Sequence, residues 1–299
     1  MDETFSRWLA IREPLDAAAR SAGLTRAVAT QFPHDRLLRI LDLGSGTGSN
    51  ARYLIGRLPP RQRWVLVDHD ADLLAEVPVR MAGWGAAHGY QSHATDEGVS
   101  LRGERLDCHV TTRRVDLNVL DPELFAGQDL VTGSALLDLV SDRWLQALAS
   151  ASATSKASVL FALTYNGGSH CAPPEPEDAR VLELMNSHQH GDKGFGPAAG
   201  PEAADRAVEA FERVGYAVRR ARSDWVLTPQ ATELQVRLLS GWREAAAAMA
   251  PDEASRTSGW LARRLAHVAA GRSRVVVGHE DVAAWPAVVG CDAVSGGHG

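Results

Sequence analysis

The stretch Arg39-Ile-Leu-Asp-Leu-Gly-Ser-Gly-Thr-Gly-Ser-Asn50 decides the fold of this 299-residue chain. Residues 37–43 form an apolar run typical of a buried parallel strand. Three glycines follow at alternate positions: Gly44, Gly46 and Gly48. Glycines at this spacing indicate a turn where the backbone comes very close to a ligand or to another segment. Residues 53–58 then have the apolar spacing of a helix, and this order of elements builds a nucleotide-binding edge on an α/β sheet.

The spacing of the glycines separates two kinds of loop. A dinucleotide loop reads Gly-x-Gly-x-x-Gly and places a pyrophosphate at a helix N-terminus. Here the third glycine comes one position early, and Ser49 stands where that pattern has glycine or alanine. Asp42 precedes the first glycine by two positions. This combination resembles motif I of class I S-adenosylmethionine-dependent methyltransferases, and a tight turn without any ligand is the alternative interpretation.

A second apolar run, residues 64–67, ends in Asp68. The number of residues between Gly48 and Asp68 is close to the spacing at which an acid binds a ribose. A carboxylate at a strand end can accept hydrogen bonds from both ribose hydroxyls. We therefore predict that Asp68 binds a ribose and that His69 lies along an adenine face. Asp70 is expected instead to cap the helix that follows.

The resemblance extends over residues 37–164 and covers the next strand ends as well. A third strand is predicted over about 108–115, followed by Asp116 and Leu117. The resemblance implies that Asp116 takes the adenine amino group, and that Leu117 donates its backbone N–H to the ring.

The fourth and fifth strands are predicted over residues 129–132 and 158–164. The fourth leads to Ser134, in a segment that resembles motif IV, where the backbone passes the methionine part of the cofactor. Ligands of such sheets bind outside the carboxyl ends of the strands, and the predicted site residues all follow such ends.

The resemblance implies S-adenosylmethionine as the cofactor. N-terminal helices of the family often cover the cofactor pocket, which would place Arg20 over the cofactor carboxylate. The alternative is that Arg20 belongs to a salt-bridged helix surface. The complete set of expected cofactor-binding residues is Asp42, Gly44, Ser45, Gly46, Gly48, Asn50, Asp68, His69, Asp116, Leu117, Ser134 and Arg20.

The predicted fold class is α/β, with a Rossmann-like sheet of seven strands, mostly parallel, and helices on both faces. The last strand, predicted at 273–278, would return antiparallel. A long loop is predicted over residues 83–105, and one strand over 216–226. The predicted organisation comprises N-terminal helices covering the pocket at 1–36, a core at 37–286 with cap insertions at about 170–200 and 229–270, and a flexible tail at 287–299.

Methyl transfer from a sulfonium is an in-line displacement that requires alignment and exclusion of water. An oxygen or nitrogen acceptor also loses a proton to a base. Histidine titrates near neutrality, so His188 and His190 are the candidate bases, followed by His170. Alternatively, they are surface histidines near a helix end. Tyr165 and Asn166 are expected just past the fifth strand, pointing toward the acceptor.

Two absent motifs bear on the acceptor. Strand four lacks the Asn-Pro-Pro-Tyr or Asp-Pro-Pro-Tyr segment with which related enzymes grip a planar amino group, which favours an oxygen acceptor over nitrogen or carbon. Residues 164–167 read Thr-Tyr-Asn-Gly, without the Asp-Asn pair of metal-dependent catechol methylators. No metal site is therefore expected.

Composition excludes several partners. The net charge is −6 without a basic tract, which argues against nucleic acid, and no apolar run is long enough to span a membrane. Three scattered cysteines suggest a reduced, cytoplasmic setting. The sequence thus predicts a cytoplasmic methyltransferase with a small-molecule acceptor and leaves the oligomeric state open. A regulatory protein that binds S-adenosylmethionine, or an NAD-dependent oxidoreductase in which Ser49 replaces the last glycine, is the alternative.

Overall fold

A computed structural model describes residues 3–95 and 98–287 of the chain. Its strands, in chain order, are β1 Leu38–Leu43, β2 Arg61–Asp68, β3 Gln91–Thr95, β4 Gly98–Arg102, β5 Asp107–Arg114, β6 Leu130–Ser134, β7 Ser158–Ala172, β8 Tyr216–Arg222, β9 Trp225–Leu227 and β10 Arg274–Pro286. Its α-helices are α1 Glu3–Ala19, α2 Ala22–Ala29, α3 Ser49–Ile55, α4 Ala71–Ala87, α5 Asp142–Ser155, α6 Asp178–Gln189, α7 Ala203–Arg213, α8 Thr232–Met249 and α9 Ala254–Ala269.

The strands form one sheet in the order β3-β4-β5-β2-β1-β6-β7-β10-β8, with β9 paired to β10. The five central strands, β5 to β7 in this order, pair in parallel. Strand β10 is antiparallel to both of its neighbours. The predicted fold class, a mostly parallel sheet whose last strand returns antiparallel, is therefore confirmed. Strands β3 and β4 are additions to the predicted seven, and one predicted strand is divided in two.

The apolar run of β1 lies at the centre of this sheet because helices cover both of its faces. Leu41 and Leu43 face a core that includes α5 and α7. Leu38 and Ile40 face a second core built with α2, α3 and α4. In the register, Leu43 lies opposite Val67 of β2 and opposite Gly133 of β6. The central strands therefore end level, and the loops that follow them gather at one edge of the sheet.

The long loop predicted over residues 83–105 is wrong. Helix α4 extends into this segment as far as Ala87, and β3 and β4 then form a hairpin at the edge of the sheet. Val99 and Leu101 are buried against β5, whereas the side chains of β3 are largely exposed. An edge hairpin of this kind has few apolar residues, because most side chains of its outer strand face solvent. It is therefore hard to recognise as strands in a Gly- and Ser-rich segment.

Strands β7 and β10 are much longer than predicted, because they pair with each other along almost their whole length. Tyr165 and Asn166 therefore lie inside β7 rather than past its end. The single strand predicted over 216–226 is divided into β8 and β9. Between them, the backbone N–H of Ser223 donates to the His279 carbonyl at 2.9 Å, and the Asp224 carboxylate accepts from the His279 N–H at 3.2 Å.

The segments predicted as cap insertions contain α6, α8 and α9, which pack together around a third apolar cluster. Arg264 of α9 is fully buried and forms a bidentate ion pair with Asp178 at the start of α6. Trp260 also donates to Asp178, at 2.8 Å. The predicted flexible tail lies outside the described residues, apart from Ala287. Across residues 3–95 and 98–287, no helix is both long and apolar enough to cross a membrane.

Candidate ligand-binding cavity

A cavity of about 1010 Å³ opens where the central strands end. We name its two ends by the residues that line them. The loop end comprises the turns after β1, β2, β5 and β6, with Gly44, Ser45, Gly46, Asp68, His69, Asp116, Leu117 and Ser134. The aromatic end comprises Trp8, Tyr165, Met185, Trp225, Trp242 and His279. This volume lies at the upper end of the ~300–1,000 Å³ typical of small-molecule sites.

The glycine turn at the loop end adopts backbone conformations that other residues rarely adopt. Gly44, Gly46 and Gly48 have φ of 64°, 51° and 84°. A side chain on Gly46 would lie 3.2 Å from the Leu9 side chain, because α1 crosses over the turn. Gly48 caps the N-terminus of α3, and a side chain there would meet Leu66 of β2 at 3.2 Å. Gly44 and Gly46 therefore line the cavity, whereas Gly48 allows α3 to pack closely on the sheet.

Asp68 is buried at the end of β2 and binds the turn to this strand. Its Oδ2 accepts the Gly46 N–H at 2.8 Å, and its Oδ1 accepts the Asp70 N–H at 3.0 Å. The His69 Nδ1 lies 3.2 Å from the same Oδ1. The Oδ2 atom keeps a further lone pair, so Asp68 can accept from a ligand while holding the turn. Asp70 also caps α4, as predicted, by accepting from two backbone N–H groups.

The later strand ends supply a second wall of the loop end. Asp116 is exposed after β5, and its carboxylate accepts the Asn118 N–H at 3.0 Å. The carbonyl of Leu117 accepts the indole N–H of Trp144 at 2.7 Å, which fixes the backbone there. Ser134 ends β6 and is followed by Ala135 with a φ of 53°. The residues predicted at three successive strand ends are thus brought around one space.

Arg20 is 6% exposed and lies beside the start of α3. Its Nη1 donates to the Asn50 Oδ1 at 2.6 Å, and its guanidinium lies 4.0 Å above the Tyr53 ring. Its Nε and Nη2 atoms have no hydrogen-bond partner among the described residues. Arg20 lines a smaller cavity of about 560 Å³ that shares Asn50 and Ser134 with the larger one. Buried guanidinium atoms without partners fit an anionic group of a ligand.

Asp42 is fully buried and is separated from the cavity by Asn50. The Asn50 Nδ2 donates to the Asp42 Oδ1 at 2.6 Å and lies 3.1 Å from the Thr132 Oγ1. Burial raises the pKa of Asp42 to about 7, against the lowering effects of the Asn50 hydrogen bond and the Arg20 charge. The structure therefore places Asp42 behind the predicted site, where it can act on a ligand only by orienting Asn50 and, through it, Arg20.

The structure places both candidate bases, His188 and His190, outside the lining of the cavity. Met185 and Gln189 are four residues apart, so they lie on the same side of α6, and this side faces the cavity. His188 instead lies 3.3 Å from the Lys193 amine, and burial lowers its pKa. His190 is exposed, with its Nε2 3.5 Å from the Glu202 carboxylate.

The aromatic end contains a buried histidine that the sequence reasoning missed. His279 of β10 is 7% exposed, lies in register with Tyr165 of β7, and lines the cavity. Its ring lies 5.2 Å from the Trp225 ring. The sequence signal that could have revealed it is a run of three polar residues, His279-Glu280-Asp281, within an otherwise apolar strand.

Two further ionisable side chains line the aromatic end. Arg12 of α1 lies 4.9 Å above the Trp225 ring and donates to Asp16 at 2.9 Å. Burial raises the pKa of Asp138 to about 6, although the backbone N–H groups of Asp138 and Tyr165 and the charge of Arg12 lower it. Within the described part of the chain, no group of three His, Cys, Asp or Glu side chains is arranged to hold a metal ion.

No protein-family model and no curated protein matches the chain. Solved structures of similar fold include a geranyl diphosphate methyltransferase in complex with S-adenosylmethionine, with a TM-score of 0.45 and 12% identity, covering 96% of this chain and 92% of that chain. A methyltransferase from Geobacter sulfurreducens in complex with S-adenosylhomocysteine has a TM-score of 0.43 and 14% identity, with 89% and 90% covered. A cyclopropane synthase from Mycobacterium tuberculosis has a TM-score of 0.42 and 14% identity, with 88% and 83% covered. These are likenesses of fold, and the geometry of the cavity carries the function proposed below.

Proposed function

We propose that this protein is an S-adenosylmethionine-dependent methyltransferase that acts on a small-molecule acceptor, with oxygen favoured over nitrogen or carbon. The observation that carries the proposal is the loop end of the cavity. There the glycine turn, Asp68, Asp116 and Ser134 follow neighbouring strands of the sheet and surround one space. Ligands of open α/β sheets bind at this position.

The proposed cofactor fits the groups present at the loop end. The Asp68 carboxylate would accept from the ribose hydroxyls, and Asp116, with the backbone of Leu117, would bind the adenine ring beside His69. The backbone of the glycine turn and of Ser134 would lie along the methionine part, with Ser45 and Asn50 beside it. The Ser45 hydroxyl is buried without a partner among the described residues, which leaves it able to bind a ligand.

Arg20 would hold the methionine carboxylate. Its two unpartnered guanidinium nitrogens supply the donors that a carboxylate requires, in the fork geometry that arginine offers. The chain from Arg20 through Asn50 to Asp42 would keep this guanidinium in place. Asp42 and Gly48 thus become positioning residues in our proposal rather than direct contacts.

When bound, S-adenosylmethionine supplies an electrophilic methyl group on a sulfonium. The protein's own part is to align the acceptor with that methyl and to exclude water. We propose that the N-terminal helices, residues 1–36, and the insertions at about 170–200 and 229–270 form the cover that does so. Helices α1, α6 and α8 supply Trp8, Met185 and Trp242 to the aromatic end. The proposed reaction needs no metal, and the proposed setting is the cytoplasm.

Ligand-induced stabilisation tests the proposal cheaply. Thermal unfolding is measured with S-adenosylmethionine, S-adenosylhomocysteine or NADH, each at about a hundredfold excess over its dissociation constant or at its solubility limit. We expect both sulfur compounds to raise the melting temperature by several degrees, since such an excess contributes ~2.7 kcal/mol. A rise with NADH alone would support the oxidoreductase alternative. Binding without any turnover across a broad set of acceptors would support the regulatory alternative.

A further inference from the structure

At the aromatic end, the hydrogen bonds of His279 show which of its ring nitrogens carries a hydrogen. Its Nδ1 lies 3.0 Å from the Val277 carbonyl oxygen. A carbonyl oxygen can only accept a hydrogen bond, so Nδ1 carries the hydrogen. The other ring nitrogen, Nε2, then has a free lone pair, and the side chain lines the cavity. His279 is thus an acceptor for a ligand that brings its own proton.

The ring of His279 is held in a fixed orientation. It packs edge-on against the Tyr165 ring at 6.0 Å and lies 5.2 Å from the Trp225 ring. Its backbone N–H donates to the Asp224 carboxylate at 3.2 Å, and its own carbonyl accepts from Ser223 at 2.9 Å. These contacts on both sides fix the direction of the Nε2 lone pair without any ligand.

Burial and the Arg12 charge favour the neutral imidazole of His279. Arg12 approaches from α1, Asp224 from the segment before β9 and Tyr165 from β7, while Asp138, in the turn after β6, lines the same cavity. Burial, and then the Arg12 charge, lower the pKa of His279 to about 4, although the Val277 carbonyl and Asp224 raise it. Because this pKa lies below neutrality, the lone pair is present at physiological pH.

We infer that the methyl acceptor is a planar hydroxyaromatic compound whose hydroxyl donates a hydrogen bond to the Nε2 of His279. This inference rests on the function proposed above. Three tryptophans and Tyr165 line this end and favour a flat apolar body. The neutral Nε2 is matched by an O–H group, whereas a methyl ether has no proton to offer it.

The proton balance of the reaction follows from this contact. As the acceptor oxygen forms its bond to the methyl carbon, the bond between that carbon and the sulfonium sulfur breaks, and S-adenosylhomocysteine leaves uncharged. The hydroxyl proton passes to Nε2 of His279 and from there to solvent. The positive charge of the sulfonium thus leaves with this proton, and the neutral imidazole that burial favours is restored. A histidine positioned as a base typically accelerates a reaction that includes such a proton transfer.

Matched ligand pairs test the inference by binding. The affinities of 1-naphthol and 7-hydroxycoumarin, and of the methyl ether of each, are measured by calorimetry in the presence of S-adenosylhomocysteine. We expect the wild type to bind at least one hydroxyl compound about tenfold more tightly than its ether, the effect of one hydrogen bond. His279→Asn should remove this preference, because asparagine can still donate to the Val277 carbonyl but lacks an acceptor at Nε2. His190→Asn, at an exposed position outside the cavity, is the matched control.

The outcomes separate this inference from the proposed function. S-adenosylhomocysteine should bind His279→Asn as it binds the wild type, and its failure to bind the wild type would refute the proposed function itself. If the cofactor product binds but no hydroxyl compound does, the inferred acceptor class is wrong. If a hydroxyl compound is preferred over its ether equally by the wild type and His279→Asn, the assignment of His279 is wrong.

Nitrogen NMR provides a readout that is independent of any ligand. In protein labelled with ¹⁵N-histidine, the His279 signal, assigned by its loss in His279→Asn, should show a protonated Nδ1 and an unprotonated Nε2. Its shifts should stay constant from about pH 5.5 to 8, where an ordinary histidine titrates. A titration near pH 6.5, or a protonated Nε2, would overturn the inference.

Discussion

The loop end of the cavity is built by loops that each follow a strand of the parallel sheet, whereas the aromatic end takes its side chains from α1, α6, α8, β7, β9 and β10. At the loop end, backbone groups and short polar side chains are fixed by the level ends of β1, β2, β5 and β6. At the aromatic end, large side chains meet because helices of the insertions pack across a pair of long antiparallel strands. The first is a property of the sheet itself, and the second depends on the cover that this chain adds to it.

The largest effect should come from breaking the contact between two helices of the cover, α6 and α9. Asp178→Ala removes the partner of the fully buried Arg264 that joins α6 to α9. An uncompensated buried charge costs ~3–5 kcal/mol, so the free energy of unfolding in urea should fall by about that amount. Glu177→Ala, which removes a partner of the exposed Arg263, is the control and should cost ~1 kcal/mol or less. Equal losses in the two variants would mean that the buried pair does not hold the cover.

The next effect separates two contacts within the loop end. Arg20→Met should weaken binding of S-adenosylhomocysteine by ~1.5–3 kcal/mol, since it removes charged hydrogen bonds to the carboxylate. It should leave 5′-methylthioadenosine, which lacks that carboxylate, unaffected in calorimetry. Arg26→Met, at an exposed position of α2, serves as the control. A similar loss for both ligands would show that Arg20 supports the turn and does not bind the carboxylate.

Asp68→Ala should weaken the binding of both ligands, by less than Arg20→Met weakens the binding of S-adenosylhomocysteine. It removes the charge-assisted hydrogen bonds to the ribose, so both S-adenosylhomocysteine and 5′-methylthioadenosine should bind at least ~1 kcal/mol more weakly. Because Asp68 also accepts the Gly46 N–H, the melting temperature of the unliganded variant is measured alongside. Unchanged affinity for both ligands would mean that the ribose lies elsewhere.

The last effect concerns the layer behind the loop end. The pKa of Asp42 is raised by burial to about 7 in the folded protein, against ~3.9 in the unfolded chain. The stability that its protonated form contributes is therefore complete below about pH 4 and is lost as the pH rises toward 7. Asp42→Asn cannot lose a proton, so its free energy of unfolding relative to wild type should increase by ~1 kcal/mol or more between pH 4.5 and 7.5. Parallel stability curves for the two proteins would contradict the buried, proton-binding state of Asp42.

The two ends also differ in how much of them the sequence reveals. Residues of the loop end lie within a few positions of a strand end, so a local pattern of apolar runs, glycines and acids predicted where Asp68, Asp116 and Ser134 would meet. The aromatic end joins Trp8 to Trp225, more than 200 positions away, and Trp225 to His279 on another strand, and no local pattern specifies such contacts.

Other differences between the sequence predictions and the structure share this physical cause. His188 and His190 were chosen from their position at a helix end, but the rotation of α6 is set by Met185 and Leu184 packing into the third cluster. The length of β7 and β10 was underestimated because each is stabilised by the other along antiparallel pairs distant in sequence. The hairpin of β3 and β4 was missed because its polar side chains face solvent at an edge.

Isothermal titration of the wild-type protein with S-adenosylhomocysteine tests the central claim most directly. The account predicts saturable binding of one molecule per chain, at micromolar concentration or below, lost in part in both Arg20→Met and Asp68→Ala. Absence of binding at high micromolar concentration, in protein whose fold is verified by circular dichroism, would contradict it.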